Sequence, residues 1–278
     1  MRRNEENDFM YPFTPTDAQV SAFHTDGYLM VRGLFDAEET GLLLKVARAD
    51  ARLDGDKLAR RDAQGGVTRL ALRNELGEDI YSAVTRSRRI VDTMEILLGG
   101  EVYHYHHKMN MKEPFVGGAW EWHQDYGYWY NNGCLFPDMA SCMIAVDKAT
   151  RENGCLQVIR GSQRMGRIEH GLTGEQTGAD MERVNEALKR LELVYCEMAP
   201  GDALFFHSNL LHRSDQNRSA EPRWALISCY NAASNNPYKV HHHPCYTPLV
   251  KGADADVKTA GYCQWVALQD KVGTVSLA

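Results

Sequence analysis

The chain has 278 residues, a formal net charge of −6, and 44% hydrophobic and 24% charged residues, an ordinary globular composition far from the polar signature of disorder. No basic block stands out to serve a polyanion, so a nucleic-acid partner is not expected. No apolar leader follows the charged N-terminus and no run of about 18 apolar residues occurs, which predicts a cytoplasmic protein that neither enters a membrane nor is secreted. The seven cysteines are odd in number and lack Cys-x-x-Cys spacing, which suits reduced, buried thiols better than a disulfide framework or a zinc ribbon.

One core suffices at this length, so residues 1–278 are read as a single domain, with the oligomeric state left open. Thr16 to Phe23 has helical apolar spacing, with Thr16 as N-cap and Gly27 as stop. Tyr28 to Val31 reads as a strand, and Asp36 opens a capping box before a second helix that should run to about Ala51. The charged, glycine-containing stretch Asp54 to Gly66 reads as a surface loop, and Ser87 to Leu98 as a third helix ended by Gly99 and Gly100.

After Gly100 the pattern changes to short β-type segments: Val102 to Met111, Ser141 to Asp147, Cys155 to Ile159, Leu193 to Met198, Ala203 to His207 and Trp224 to Tyr230. A helical N-terminal layer over about residues 16–100, packed outside a β core over about 101–235, predicts a mainly β jelly roll with flanking helices. The run His241-His242-His243 reads as a solvated loop, because adjacent side chains do not readily face one ion.

Two stretches carry chemistry. In Trp120-Glu121-Trp122-His123-Gln124-Asp125, an extended backbone would point His123 and Asp125 to one side and Gln124 to the other, offering an imidazole and a carboxylate to one metal. The second stretch runs from Pro200 through His207 and His212 to Arg223: a turn, an apolar strand, a histidine, a polar turn and a returning arginine. Two histidines and one carboxylate on one face of Fe(II) leave three positions for a bidentate 2-oxo acid and O2. A guanidinium fits the far carboxylate of such an acid bidentately.

The His-x-Asp pair, the pattern His212-x-Ser214-x-x-Asn217-x-Ser219, Arg223, Phe23-His24-Thr25-Asp26-Gly27-Tyr28 and Asn153-Gly154-Cys155-Leu156-Gln157-Val158-Ile159-Arg160-Gly161-Ser162 together resemble the phytanoyl-CoA dioxygenase family, which includes ectoine and proline hydroxylases. The likeness runs from about residue 20 to about residue 235. It implies a double-stranded β-helix, Fe(II), 2-oxoglutarate and O2, a small-molecule substrate to be hydroxylated, and succinate and CO2 as co-products. It also selects His212 over His207 as the third iron ligand beside His123 and Asp125, and makes Arg223 the oxo-acid clamp.

Family members place polar 2-oxoglutarate contacts on the strand before His-x-Asp, where Lys108, Asn110 and Lys112 alternate; Lys112 could instead face solvent at a sheet edge. Arg160-Gly161-Ser162-Gln163 stands where the family often reads Pro-Gly-Ser-His, and Ala225 where some hydroxylases carry serine; neither touches the expected iron ligands. Tyr126, Tyr128 and Trp129 are candidate substrate walls or core aromatics. Arg73, with Asn74 and Glu75, is a candidate substrate contact or helix-surface charge. Rival readings are a metal-dependent hydrolase using His-x-Asp around zinc, and a jelly-roll binding protein without catalysis.

Overall fold

The computed structural model describes residues 13–55, 57–173 and 175–275. Thr16 caps helix α1 (Asp17–Asp26), Gln19 completes the capping box, and Gly27 ends the helix at φ 85°. At that position a side chain would strain the backbone and collide with Gln163 and Leu210. Strand β1 (Tyr28–Val31) follows. Asp36 caps α2 (Ala37–Ala49) in a second capping box with Glu39, and α3 (Arg52–Gly55) is a single turn.

The expected surface loop is instead largely a hairpin, β2 (Lys57–Arg61) and β3 (Val67–Arg73). Its cause is tertiary. β3 pairs with a later strand, β4 (Val102–Lys112), and the buried Asp62 accepts hydrogen bonds from Gly66 N, Ala119 N and Gln216 Nε2. Local composition announces neither partner.

Helices α4 (Ile80–Arg86) and α5 (Arg88–Leu98) precede β4 (Val102–Lys112), β5 (Trp120–His123) and α6 (Asp125–Trp129). Then come β6 (Met139–Ala145), β7 (Leu156–Ile159), β8 (His170–Thr173), β9 (Gln176–Ala179), α7 (Met181–Arg190), β10 (Leu193–Cys196), β11 (Ala203–His207), β12 (His212–Ser214), β13 (Arg223–Ala232) and α8 (Asp256–Val275). All six β segments expected after Gly100 are strands, with ends displaced by a few residues at most.

The large sheet has the order β1-β11-β6-β13-β4-β3-β2, and a smaller sheet the order β10-β7-β12-β5. Alternation sorts the large sheet's side chains. Met109, Met111, Ala140, Cys142, Ile144, Phe205 and Leu226 join Leu43, Val46, Ile90 and Met94 of the helices in one core. Met143, Ala145, Leu204, Phe206, Ala225 and Ile227 meet Leu156 and Val158 of the small sheet in another. The result is a jelly roll, the double-stranded β-helix, with helices covering one outer face. Emptying the helical seam by Leu43→Ala would cost about 2–5 kcal/mol. Among the described residues no helix is long and apolar enough to cross a membrane.

Candidate metal centre and cavity

His123 ends β5, His212 begins β12, and the two are direct partners across the antiparallel ladder. Their ring centroids stand 4.1 Å apart. Local backbone turns each ring: Nδ1 of His123 lies 2.7 Å from Glu121 O, and Nδ1 of His212 lies 2.9 Å from Leu210 O. A carbonyl only accepts, so both rings carry their proton on Nδ1 and present Nε2 as a free ligand atom.

Asp125 arrives by a different route from the one its spacing suggests. The strand stops at His123, Gln124 is extended (φ −114°, ψ 133°), and Asp125 is the first residue of α6. Its Oδ1 nevertheless stands 3.9 Å from His123 Nε2 and 4.0 Å from His212 Nε2. Gln124 turns away as expected, donating to Gly166 O and Asn209 O and accepting from Ile168 N. All three residues are buried, and one potential donor atom from each lies within 4.8 Å of the others. Two imidazoles and a carboxylate are a donor set suited to Fe(II). His207 stays outside it: its Nδ1 accepts from Asn209 N at 3.0 Å and its ring leans on Phe23.

Burial alone would raise the Asp125 carboxyl, but the charge of Lys108 and a 3.2 Å hydrogen bond from Ser141 Oγ oppose it, and the group is held below its ordinary value. Burial likewise draws His123 and His212 down, keeping them neutral as ligands must be.

These residues line a cavity of about 310 Å³ that also receives Arg223, Lys108 and Asn110. Arg223 opens β13 opposite Lys112 of β4, and Ala225 and Ile227 stand opposite Asn110 and Lys108. The Arg223 side chain is 2% exposed and makes no hydrogen bond or ion pair among the described residues; its Nε is a buried donor without a partner. Burial lowers its pKa to about 10. Lys112 is no edge residue but wholly buried, and its ammonium donates to the carbonyls of Ser214 and Asp215. The buried guanidinium of Arg223, with no carboxylate partner among the described residues, makes this end of the cavity a place for an anion, and the unpartnered amide oxygen of Asn110 beside it can take a donor.

Tyr128 and Trp129 line the cavity, and Tyr128 is fixed by donating to Thr177 O at 2.8 Å. Tyr126 belongs to the core instead: it donates to Cys134 O and packs edge-on against Tyr130. Arg73 ends β3, so it is not on a helix surface; it faces Asp79 at 3.9 Å, away from the residues that line the cavity.

Several contributors escaped sequence reasoning. Leu58, Leu70 and Leu72 of the β2–β3 hairpin form an apolar wall, hidden because the hairpin itself was. His106 shares the parity of Lys108 and Asn110 on β4, and that alternation could have found it. His242 and His243 line the cavity rather than a solvated loop, and His243 is 8% exposed.

Residues 23–225 match the family described as phytanoyl-CoA dioxygenase (PhyH). The L-proline trans-4-hydroxylase of Streptomyces griseoviridis is 33% identical over 195 residues, 64% of this chain and 71% of that one. The ectoine dioxygenase of Sphingopyxis alaskensis is 30% identical over 233 residues, covering 78% and 76%. The crystal structure of EctD from S. alaskensis with 2-oxoglutarate and 5-hydroxyectoine superposes with a TM-score of 0.73 at 27% identity, covering 86% of this chain and 88% of that one. With the fold, the converging ligand set and a family match over most of its length, the chain belongs to the phytanoyl-CoA dioxygenase family.

Proposed function

We infer that the chain is an iron- and 2-oxoglutarate-dependent dioxygenase that hydroxylates or otherwise oxidises a small organic molecule, releasing succinate and CO2. Iron is held by His123, Asp125 and His212, and the distal carboxylate of 2-oxoglutarate by Arg223. The observation that supports this most is that one cavity of about 310 Å³ contains both the three-ligand set and a buried guanidinium with no acidic partner among the described residues.

When bound, the iron supplies O2 activation coupled to decarboxylation of the oxo acid. The protein's part is positioning. Ser141 steadies Asp125, Asn110 and Lys108 add polar contacts beside the oxo acid, and Leu156, Ile227, Met143 and Phe206 keep water from this part of the cavity. Tyr128 and Trp129 wall the substrate side. A zinc hydrolase built on the same His-x-Asp pair would leave Arg223 unexplained, and the complete triad beside an intact arginine argues against a jelly roll that binds without catalysis. The relatives named for proline and ectoine make small polar molecules the first substrates to test. A single catalytic domain in a reducing cytoplasm completes the reading, in keeping with the free thiols.

The test is anaerobic reconstitution with Fe(II) and 2-oxoglutarate, then admission of O2 with L-proline or ectoine while succinate is measured. His123→Ala, Asp125→Ala and His212→Ala should each abolish turnover and weaken iron binding by about tenfold to a hundredfold or more, whereas His207→Ala should keep its iron. Loss of iron from His207→Ala with an active His212→Ala would reverse the assignment.

A further inference from the structure

His241-His242-His243 has no part in the metal set, yet two of its residues are in the cavity wall. The segment after β13 that carries them is tied down along its length. Tyr238 N donates to Gly133 O at 3.1 Å, Tyr246 N to Asn236 Oδ1 at 2.7 Å, and Tyr246 Oη to Glu101 Oε1 at 2.6 Å. Between these ties Asn74 grips the segment twice: its Nδ2 donates to His242 O at 2.8 Å, and its Oδ1 lies 2.9 Å from His243 Nδ1.

The first of these bonds fixes the orientation of the amide, because a carbonyl can only accept and so must meet the amide nitrogen rather than its oxygen. The second then fixes the imidazole: an amide oxygen cannot donate, so His243 carries its proton on Nδ1. Nε2 is left with a lone pair and no partner among the described residues. The ring stacks on His106, with centroids 4.6 Å apart and planes 21° from parallel. His106 is 2% exposed and its Nδ1 is buried without a partner, while the His243 residue as a whole is 8% exposed. Burial draws both rings far below the ordinary histidine pKa, His243 to about 3, so both are neutral.

We propose that the His243–His106 stack selects the substrate by accepting a hydrogen bond from an amine N–H on the part of the molecule that does not react, with Asn74 as the positioning residue that holds His243 in the accepting tautomer. A buried acceptor left unsatisfied is costly, so a substrate that replaces the amine by an acceptor should bind more weakly by about tenfold to a hundredfold. The indole of Trp129, 5.8 Å from His106, adds an aromatic face that favours a cationic amine. The inference rests on the dioxygenase reading and deepens it.

The probes are two matched pairs in which an ether oxygen replaces the amine: L-proline with tetrahydrofuran-2-carboxylate, and L-pipecolate with tetrahydropyran-2-carboxylate. They are added to the full-length protein loaded with Fe(II) and 2-oxoglutarate, and O2-dependent succinate release is followed against concentration. Amines should act at concentrations at least tenfold below those of their ether partners. His243→Phe keeps a ring in the stack without an acceptor and should erase the difference. Asn74→Leu should raise the amine concentration required while leaving that of the ether unchanged, a selective loss that general loosening would not produce. Co(II) titration of each variant, with unchanged metal affinity, separates lost selection from a collapsed site.

Equal response to both members of each pair, no response to any of the four, or a preference that survives His243→Phe would overturn the proposal. Failure of the unmodified protein to bind Fe(II) and 2-oxoglutarate together, read from the absorption of the complex, would sink the underlying reading as well.

Discussion

Arg89 of α5 and Arg223 of β13 are both withdrawn from solvent, at 0% and 2% exposure, but their surroundings are opposite. Arg89 meets Glu39 through two hydrogen bonds of 2.9 and 2.5 Å, donates to Leu34 O and Asp254 O, and lies 3.2 Å from the Asp254 carboxylate. It ties α2, α5 and the approach to α8 together. Arg223 has no such carboxylate among the described residues and faces the cavity. Removing a charge from water costs several kcal/mol unless a counter-charge offsets it. Around Arg89 the chain supplies that counter-charge; at Arg223 it has to come with a ligand. The same residue type thus serves structure in one place and recognition in the other.

The largest effect should follow from breaking the first of these arrangements. Arg89→Ala leaves Glu39 buried beside no cation and should lower stability by about 3–5 kcal/mol, read as a fall in the thermal midpoint. Arg223→Ala should leave the midpoint of the ligand-free protein nearly unchanged or raise it. Equal falls in the two variants would break the comparison.

Ligand affinity should show the reverse. Arg223→Ala should weaken 2-oxoglutarate binding by about 2–5 kcal/mol if the pair is buried, measured by titration of the metal-loaded protein, while iron still binds. An unchanged 2-oxoglutarate requirement would place the clamp elsewhere. The two effects can be joined in one experiment: 2-oxoglutarate at a hundred times its dissociation constant should stabilise the metal-loaded parent protein by about 2.7 kcal/mol. The same concentration should give Arg223→Ala much less.

A third effect, on pH dependence, is shared by both sides of the molecule. Burial holds His207, near the helices, and His107, on β4, at about 4, and His104 at about 3. The unfolded chain takes up protons on these rings near pH 6.5 while the folded chain does not, so stability rises with pH through this range. The contribution is fully present above about pH 6.5 and is lost as pH falls toward 4 and 3. Thermal midpoints measured from pH 7 to pH 4 should fall steadily, and a flat profile would contradict the burial of these imidazoles.

What could be read from sequence depended on how far apart the cooperating residues lie. Capping at Thr16 and Asp36, the stop at Gly27 and the alternation of Lys108 with Asn110 are local and were legible. His123 and Asp125 were legible as a pair, although the helix that begins at Asp125 replaces the expected alternation. The β2–β3 hairpin was not legible, because Asp62 is anchored by Ala119 and Gln216, which are distant in sequence. His243 was missed for the same reason, since its orientation depends on Asn74. Tyr126 and Arg73 show the converse error: nearness to a motif in sequence does not aim a side chain at its cavity, and Tyr126 turns to Cys134 while Arg73 turns to Asp79.

The turn between β12 and β13 is fastened throughout: Lys112 holds the Ser214 and Asp215 carbonyls, Gln157 holds the Asp215 carboxylate at 2.6 Å, Asn217 N donates to Gly117 O, and Arg218 N donates to Glu152 O. This segment therefore works as a caliper, setting the separation of His212 from Arg223 in two different sheets. A caliper tolerates changes of surface but not of length. One residue inserted between 215 and 222 would shift the guanidinium relative to the metal ligands without touching either, whereas the exposed hairpin tip at 63–65 could take the same insertion with the caliper intact.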